Sequence, residues 1–172
     1  FKLVHILFNR EVIEVATFRG ADDTHADQVT NERGMLVRDN VYGTLHDDVW
    51  RRDFTINALY YNLEDFSIID FTGGVNDLRQ QLLRLLGDAT TRYQEDPVRI
   101  LRAIRFSAKL HFNLAPETAK PIKPMGHLLK NISSSRLFDE ITKMTECGKA
   151  AQAFQLMIEH GIVAHLFQQT SQ

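Results

Sequence analysis

Near Val75 the spacing of apolar residues changes from short β-like runs to helical periodicity, and this switch constrains the fold more than any other feature. It predicts an α+β chain whose β-containing part comes first and whose second part is all helical. The run Phe1 to Phe8 is apolar on both faces, as expected of a buried strand, and Asn9-Arg10 offers a tight turn into a second strand, Val12 to Phe18. On that second strand Glu14 lies on the same face as Val12, Ala16 and Phe18. A lone carboxylate among apolar neighbours is expensive. Two readings of Glu14 follow: an edge-strand residue in water, or a carboxylate held for a metal or cation.

Between Arg19 and Asn40 the composition is polar and aperiodic, which predicts a long surface loop. After Trp50 come Arg51-Arg52-Asp53, a short turn through Asn57, and two further β-like runs, Ala58 to Asn62 and Ser67 to Phe71. Residues Leu63 to Phe66 would close that second hairpin. Gly73-Gly74 reads as a plain turn ending the β-rich part.

Helical spacing then runs through Asn76 to Leu86, with Leu85 and Leu86 also able to begin a short strand, and Gly87 ends it. Asp96-Pro97 is a helix start, an acceptor side chain followed by a residue that needs no amide donor. That helix should reach Leu110, with Arg99, Arg102 and Arg105 along a seam between two apolar sides. Ser133 to Ser135 should cap a helix from Leu137 to Cys147, and Lys149 to His160 a last one before Gly161. The expected division is a head of residues 1–86 and a helical neck of residues 87–172.

With 20 Lys and Arg against 22 Asp and Glu, bulk charge does not announce a nucleic-acid binder. The distribution is more informative. Residues 51–110 hold nine basic side chains, eight of them Arg, the planar donor suited to phosphate, carboxylate and base edges. Arg51, Arg52, Arg92, Arg99, Arg102 and Arg105 flank two acidic positions, Asp53 and Glu95-Asp96. These are either buried ion pairs or a polyphosphate site beside metal-binding acids. No phosphate-cradling Gly-x-x-x-x-Gly-Lys loop, dinucleotide fingerprint, zinc spacing or serine nucleophile elbow is present. The single Cys147 excludes an intrachain disulfide, and no apolar run approaches the ~20 residues of a membrane span. A soluble, cytoplasmic protein is expected.

The run Arg51-Arg52-Asp53-Phe54-Thr55-Ile56-Asn57-Ala58-Leu59, followed by Glu95-Asp96-Pro97-Val98-Arg99-Ile100-Leu101-Arg102-Ala103-Ile104-Arg105-Phe106, resembles the class II nucleotidyltransferases, the bacterial poly(A) polymerases and CCA-adding enzymes. Gly34 to Thr44 and Tyr60-Tyr61 look like the poly(A) polymerase branch. The resemblance implies template-independent addition of AMP from ATP to an RNA 3′ end with Mg²⁺. It implies Asp53 as a catalytic-site and metal-binding acid, and Glu14 as a further carboxylate of that kind. Ribose and phosphate contacts fall to Arg52, Asp53 and Asn57, and base recognition to Asp96 with Arg99. Arg51, Arg92, Glu95, Arg102 and Arg105 complete the expected nucleotide-binding set.

Family members place a Gly-Gly and Arg-Asp element and an Asp-x-Asp pair ahead of the strand that is Phe1 to Phe8 here, and neither occurs in these 172 residues. A fragment, inactive by itself, is therefore expected. CCA addition is the alternative within the family. A catalytically silent nucleotide- or RNA-binding relative and a purely structural helical module are the alternatives outside it.

Overall fold

The computed structural model describes residues 3–20 and 42–167. It is α+β, as expected, and forms two compact units, residues 1–52 and 53–172. Most of the predicted Arg19 to Asn40 loop and of the Gly34 to Thr44 stretch lies outside the described residues.

In the first unit, β1 (Leu3–Phe8) and β2 (Glu11–Ala16) form an antiparallel hairpin with His5 opposite Glu14. Asn9 takes the left-handed conformation, φ 57°, that its turn position requires. The expectation of buried strands is corrected: every strand residue is exposed, Leu7 at 77%. A two-stranded ribbon has no third layer to cover its apolar faces. Helix α1 (Leu45–Trp50), unforeseen from the sequence, begins with a capping box. Asp47 N donates to the Thr44 hydroxyl at 3.3 Å, and Thr44 N donates to the Asp47 carboxylate at 2.8 Å.

The second unit is threaded by an extended segment, residues 81–86, with partners on both sides. Its β5 strand (Leu82–Leu83) pairs in parallel with β6 (Asn113–Leu114). On the other side, Thr55 N donates to Arg84 O at 3.0 Å and Leu86 N to Asp53 O at 2.8 Å. The expected Asn76 to Leu86 helix is thus corrected: α2 (Gly74–Arg79) stops early, Gln81 turns left-handed at φ 52°, and Leu82 and Leu83 enter the parallel pair. Burial of Leu83 and Leu85 against the helices decides this, because an extended segment satisfies its backbone on both sides while inserting alternate side chains. The second hairpin forms as β3 (Tyr60–Tyr61) and β4 (Ile68–Ile69), shorter than the predicted runs.

Gly73-Gly74 is more than a plain turn. A Cβ on Gly74 would lie 2.3 Å from the Thr55 carbonyl oxygen, so only glycine lets α2 approach the 3₁₀ turn Thr55–Asn57. Asp70 accepts from the amides of Thr72, Gly74 and Val75, each at 3.0 Å.

Helices α3 (Ala89–Glu95) and α4 (Val98–Leu110) follow, then α5 (Pro116–Ala119), α6 (Ile122–Met125) and a 3₁₀ segment, Gly126–Asn131. The unit closes with α7 (Ser134–Glu146), α8 (Ala150–Glu159) and α9 (Val163–Leu166). Asp88 caps α3, and Asp96 accepts from Val98 N at 3.3 Å, placing the α4 start as predicted. Ser133 occupies the N-cap of α7 but makes no side-chain cap bond. Helix α4 is the centre of the core: Ile100, Leu101, Ala103 and Ile104 are fully buried, with Tyr93, Met144 and Met157 packed in the same cluster. Residues 53–86, assigned to the head by sequence, thereby lie in one compact unit with the helices that follow. Among the described residues no helix is long and apolar enough to cross a membrane.

Candidate active site

Asp53 sits where residues 53–55 meet the 81–86 segment, its backbone fixed by the bond from Leu86. Its Oδ1 accepts from its neighbour Phe54 N at 2.9 Å and from Asn57 Nδ2 at 3.0 Å. Its Oδ2 accepts from Arg102 Nε at 2.7 Å and pairs with Arg102 Nη2. A carboxylate offers about four acceptor positions, and here four donors fill them. The side chain is 10% exposed. Asp53 in this arrangement anchors Asn57 and Arg102; it does not present a free oxygen to a metal ion.

Arg102 links this cluster to a second carboxylate, Glu140 on α7, 3.7 Å from Arg102 Nη1. Arg105 Nε donates to Glu140 at 3.0 Å and Lys143 Nζ at 3.2 Å, so one buried carboxylate meets three cations. Arg105 also lies over the Phe106 ring, 4.4 Å from its centroid. Phe106 packs edge-on against Phe54, 5.7 Å between centroids.

A third group surrounds the end of α3. Arg92 and Arg99 each donate through Nη1 to Glu95 Oε2, at 2.9 and 3.1 Å, and Arg99 Nη1 also donates to Arg92 O at 2.8 Å. Burial lowers the Arg92 guanidinium from its usual pKa, assisted by the adjacent Arg99 charge and opposed by Glu95 and Asp53. Asp96 is held separately: Arg136 Nη2, from α7, donates to its Oδ1 at 3.0 Å and its Oδ2 at 2.8 Å.

The structure therefore brings Asp53, Asn57, Arg102 and Arg105 into one network, and Arg92, Glu95 and Arg99 into another. Arg51 and Arg52 belong to the first unit, where both pair with Asp48 at 4.0 and 3.1 Å. Glu14, in that same unit, is exposed and pairs with His5 at 3.4 Å. Arg136 and Glu140 went unforeseen. For Glu140 the sequence did hold a signal: it falls inside the α7 stripe of Leu137, Ile141 and Met144, where only a paired carboxylate is tolerable.

The family model described as the poly(A) polymerase head domain matches residues 1–84, and that described as the probable RNA and SrmB-binding site of polymerase A matches residues 111–172. The chain belongs to the poly(A) polymerase family. It is 47% identical over 172 residues to poly(A) polymerase I of Salmonella typhi, covering 98% of this chain and 36% of that protein. With the CCA-adding enzyme of Lactobacillus helveticus it shares 37% over 156 residues, 91% of this chain and 37% of that one. The crystal structure of the Bacillus stearothermophilus CCA-adding enzyme in complex with CTP superposes with a TM-score of 0.75 at 34% identity. That match covers 95% of this chain and 37% of the other. The chain thus spans little more than a third of the relatives it matches.

The family's use of nucleoside triphosphates implies a divalent metal. Among the described residues no three His, Cys, Asp or Glu side chains gather to hold one, Asp53 is filled by its four donors, and Glu14 is paired with His5. These residues do not supply a complete metal site.

Proposed function

We propose that the protein carrying this chain is a template-independent RNA nucleotidyltransferase that adds AMP from ATP to RNA 3′ ends, acting in the cytoplasm with Mg²⁺. The observation that carries the proposal is the 47% identity to a poly(A) polymerase I, running through both the head and the RNA-binding matches. Within this reading, residues 1–86 belong to the catalytic head and residues 87–172 to the neck that holds the base and the RNA. By the family resemblance Arg52, Asp53 and Asn57 serve the ribose and phosphates, and Arg51, Arg92, Glu95, Arg102 and Arg105 complete the nucleotide-binding set. Asp53 contributes by fixing Asn57 and Arg102.

Asp96 and Arg99 read the base. Adenine presents an amino donor at N6 beside an acceptor at N1, which an Asp acceptor and an Arg donor satisfy together. Uracil and guanine reverse that order and leave mismatched polar groups, at a cost of about 1–3 kcal/mol for each one buried. Glu95 supports this role by taking Arg99 Nη1, which fixes the guanidinium one turn from Asp96.

Cytosine shows the same order of groups as adenine, so this pair admits both, and the 37% identity to a CCA-adding enzyme keeps CCA addition as the second reading. The test is incorporation from each of the four triphosphates by the full-length protein. ATP should be used, with UTP and GTP rejected by at least a hundredfold in kcat/KM. Equal use of all four would overturn base reading by an Asp-Arg pair.

A further inference from the structure

We propose that Arg136 on α7 is a positioning residue for nucleotide selection: it fixes the Asp96 carboxylate so that a single acceptor position, on Oδ2, faces an incoming amino group. The inference rests on the reading of Asp96 as the base acceptor and names the group that orients it.

Three observations support it. First, both oxygens of Asp96 accept from the same Arg136 nitrogen, at 3.0 and 2.8 Å, which takes an acceptor position on each and ties the carboxylate to α7. Second, Oδ1 also accepts from Val98 N at 3.3 Å. With about two acceptor positions per oxygen, Oδ1 is filled and Oδ2 retains one. One remaining acceptor suits one N–H of an exocyclic amino group. A carboxylate free to rotate would offer several and choose less strictly between bases. Third, the helix carrying Arg136 is itself fixed, because Glu140, one turn along α7, is buried against Arg105. The α7 register is therefore passed to Asp96.

The exposure of Arg136 separates this role from a folding role. Its side chain is 57% exposed, and an ion pair so open to water contributes little to stability. Removing it should leave the fold intact and alter selection.

The test uses the full-length enzyme with ATP, UTP and GTP on one RNA, comparing the wild type with Arg136→Ala, Arg136→Lys, Asp96→Ala and the double variant Asp96→Ala/Arg136→Ala. Arg136→Ala should lower the ATP-over-UTP ratio of kcat/KM about tenfold, the weight of one hydrogen bond. The loss should appear mainly as a raised KM for ATP, with the melting temperature unchanged. Arg136→Lys should recover part of the ratio, since an ammonium supplies the charge without the planar fork. The double variant should match Asp96→Ala, because Arg136 acts only through Asp96. If Asp96→Ala collapses the ratio and Arg136→Ala does not, the positioning role is overturned and base reading by Asp96 stands. If Asp96→Ala leaves the ratio unchanged, base reading itself fails. A tighter KM for ATP in Arg136→Ala would show Arg136 to be a competitor for Asp96 and would also overturn the proposal.

Discussion

Arg102 reaches across 49 residues of chain to donate its Nε to Asp53 Oδ2 at 2.7 Å, joining helix α4 to the start of the second compact unit. The pair is asymmetric in burial: the aspartate is 10% exposed and the arginine 33%. Arg102→Ala should destabilise the protein by about 2 kcal/mol, less than a fully buried pair because water reaches the arginine. Arg102→Lys should recover part of the loss. Urea unfolding of the three proteins measures this, and an unchanged midpoint in Arg102→Ala would show that Asn57 and the Phe54 amide hold Asp53 unaided.

Glu140 is a buried charge of the second unit, faced by Arg105, Lys143 and, more distantly, Arg102. Glu140→Gln should cost about 3 kcal/mol, because Arg105 is left buried without its counter-charge. Replacing both members, Arg105→Met with Glu140→Leu, should be more stable than either single change, since no buried charge is left unpaired and Lys143, which also loses Glu140, is open to water. Chemical denaturation of the cycle gives the coupling directly. Additive losses would mean that the two residues do not act as a pair.

At Gly74 a single methyl group meets the Thr55 carbonyl at 2.3 Å, a contact that backbone must move to relieve. Gly74→Ala should destabilise by about 2 kcal/mol or more. Gly148→Ala, at φ 75° but with open space around the new carbon, should cost only about 1 kcal/mol. Equal melting temperatures for the two variants would contradict the close approach of α2 to the turn at Thr55.

Tyr93 is fully buried, donates its hydroxyl to Thr118 O at 3.0 Å, and is pushed by burial well above the usual tyrosine pKa. The folded state therefore favours the neutral phenol. Its stabilising contribution is complete below the unfolded pKa near 10 and is lost as pH rises through the folded value. Tyr93→Phe should flatten the alkaline fall in stability. Spectrophotometric titration should show one tyrosine ionising only with unfolding, and reversible ionisation of all four tyrosines near pH 10 would contradict this placement.

Much of this architecture was legible in the residues. Asp96-Pro97 marked the start of α4 because a cap acceptor and a missing amide donor leave few other conformations. The motif from Arg51 to Leu59 marked the turn that carries Asp53 and Asn57. Other features depended on tertiary partners. Leu82 and Leu83 have helical spacing, yet pairing with Asn113 and Leu114 draws them into a strand. Asp96 and Arg99 are read together from the sequence, yet Arg136, forty residues away on α7, holds Asp96, while Arg99 is held by Glu95, four residues before it. Residue spacing along one helix carries no information about a charge supplied from another.

The most direct test of the account places the full-length protein with ATP and CTP on two substrates, an unstructured RNA and a tRNA lacking its 3′ end. Long AMP tails on the unstructured RNA are the expected result, with CMP excluded on both substrates by pocket shape and groups outside the Asp96–Arg99 pair, which by itself admits either base. Addition confined to the tRNA, with CMP entering before a single AMP, would contradict the account and identify a CCA-adding activity.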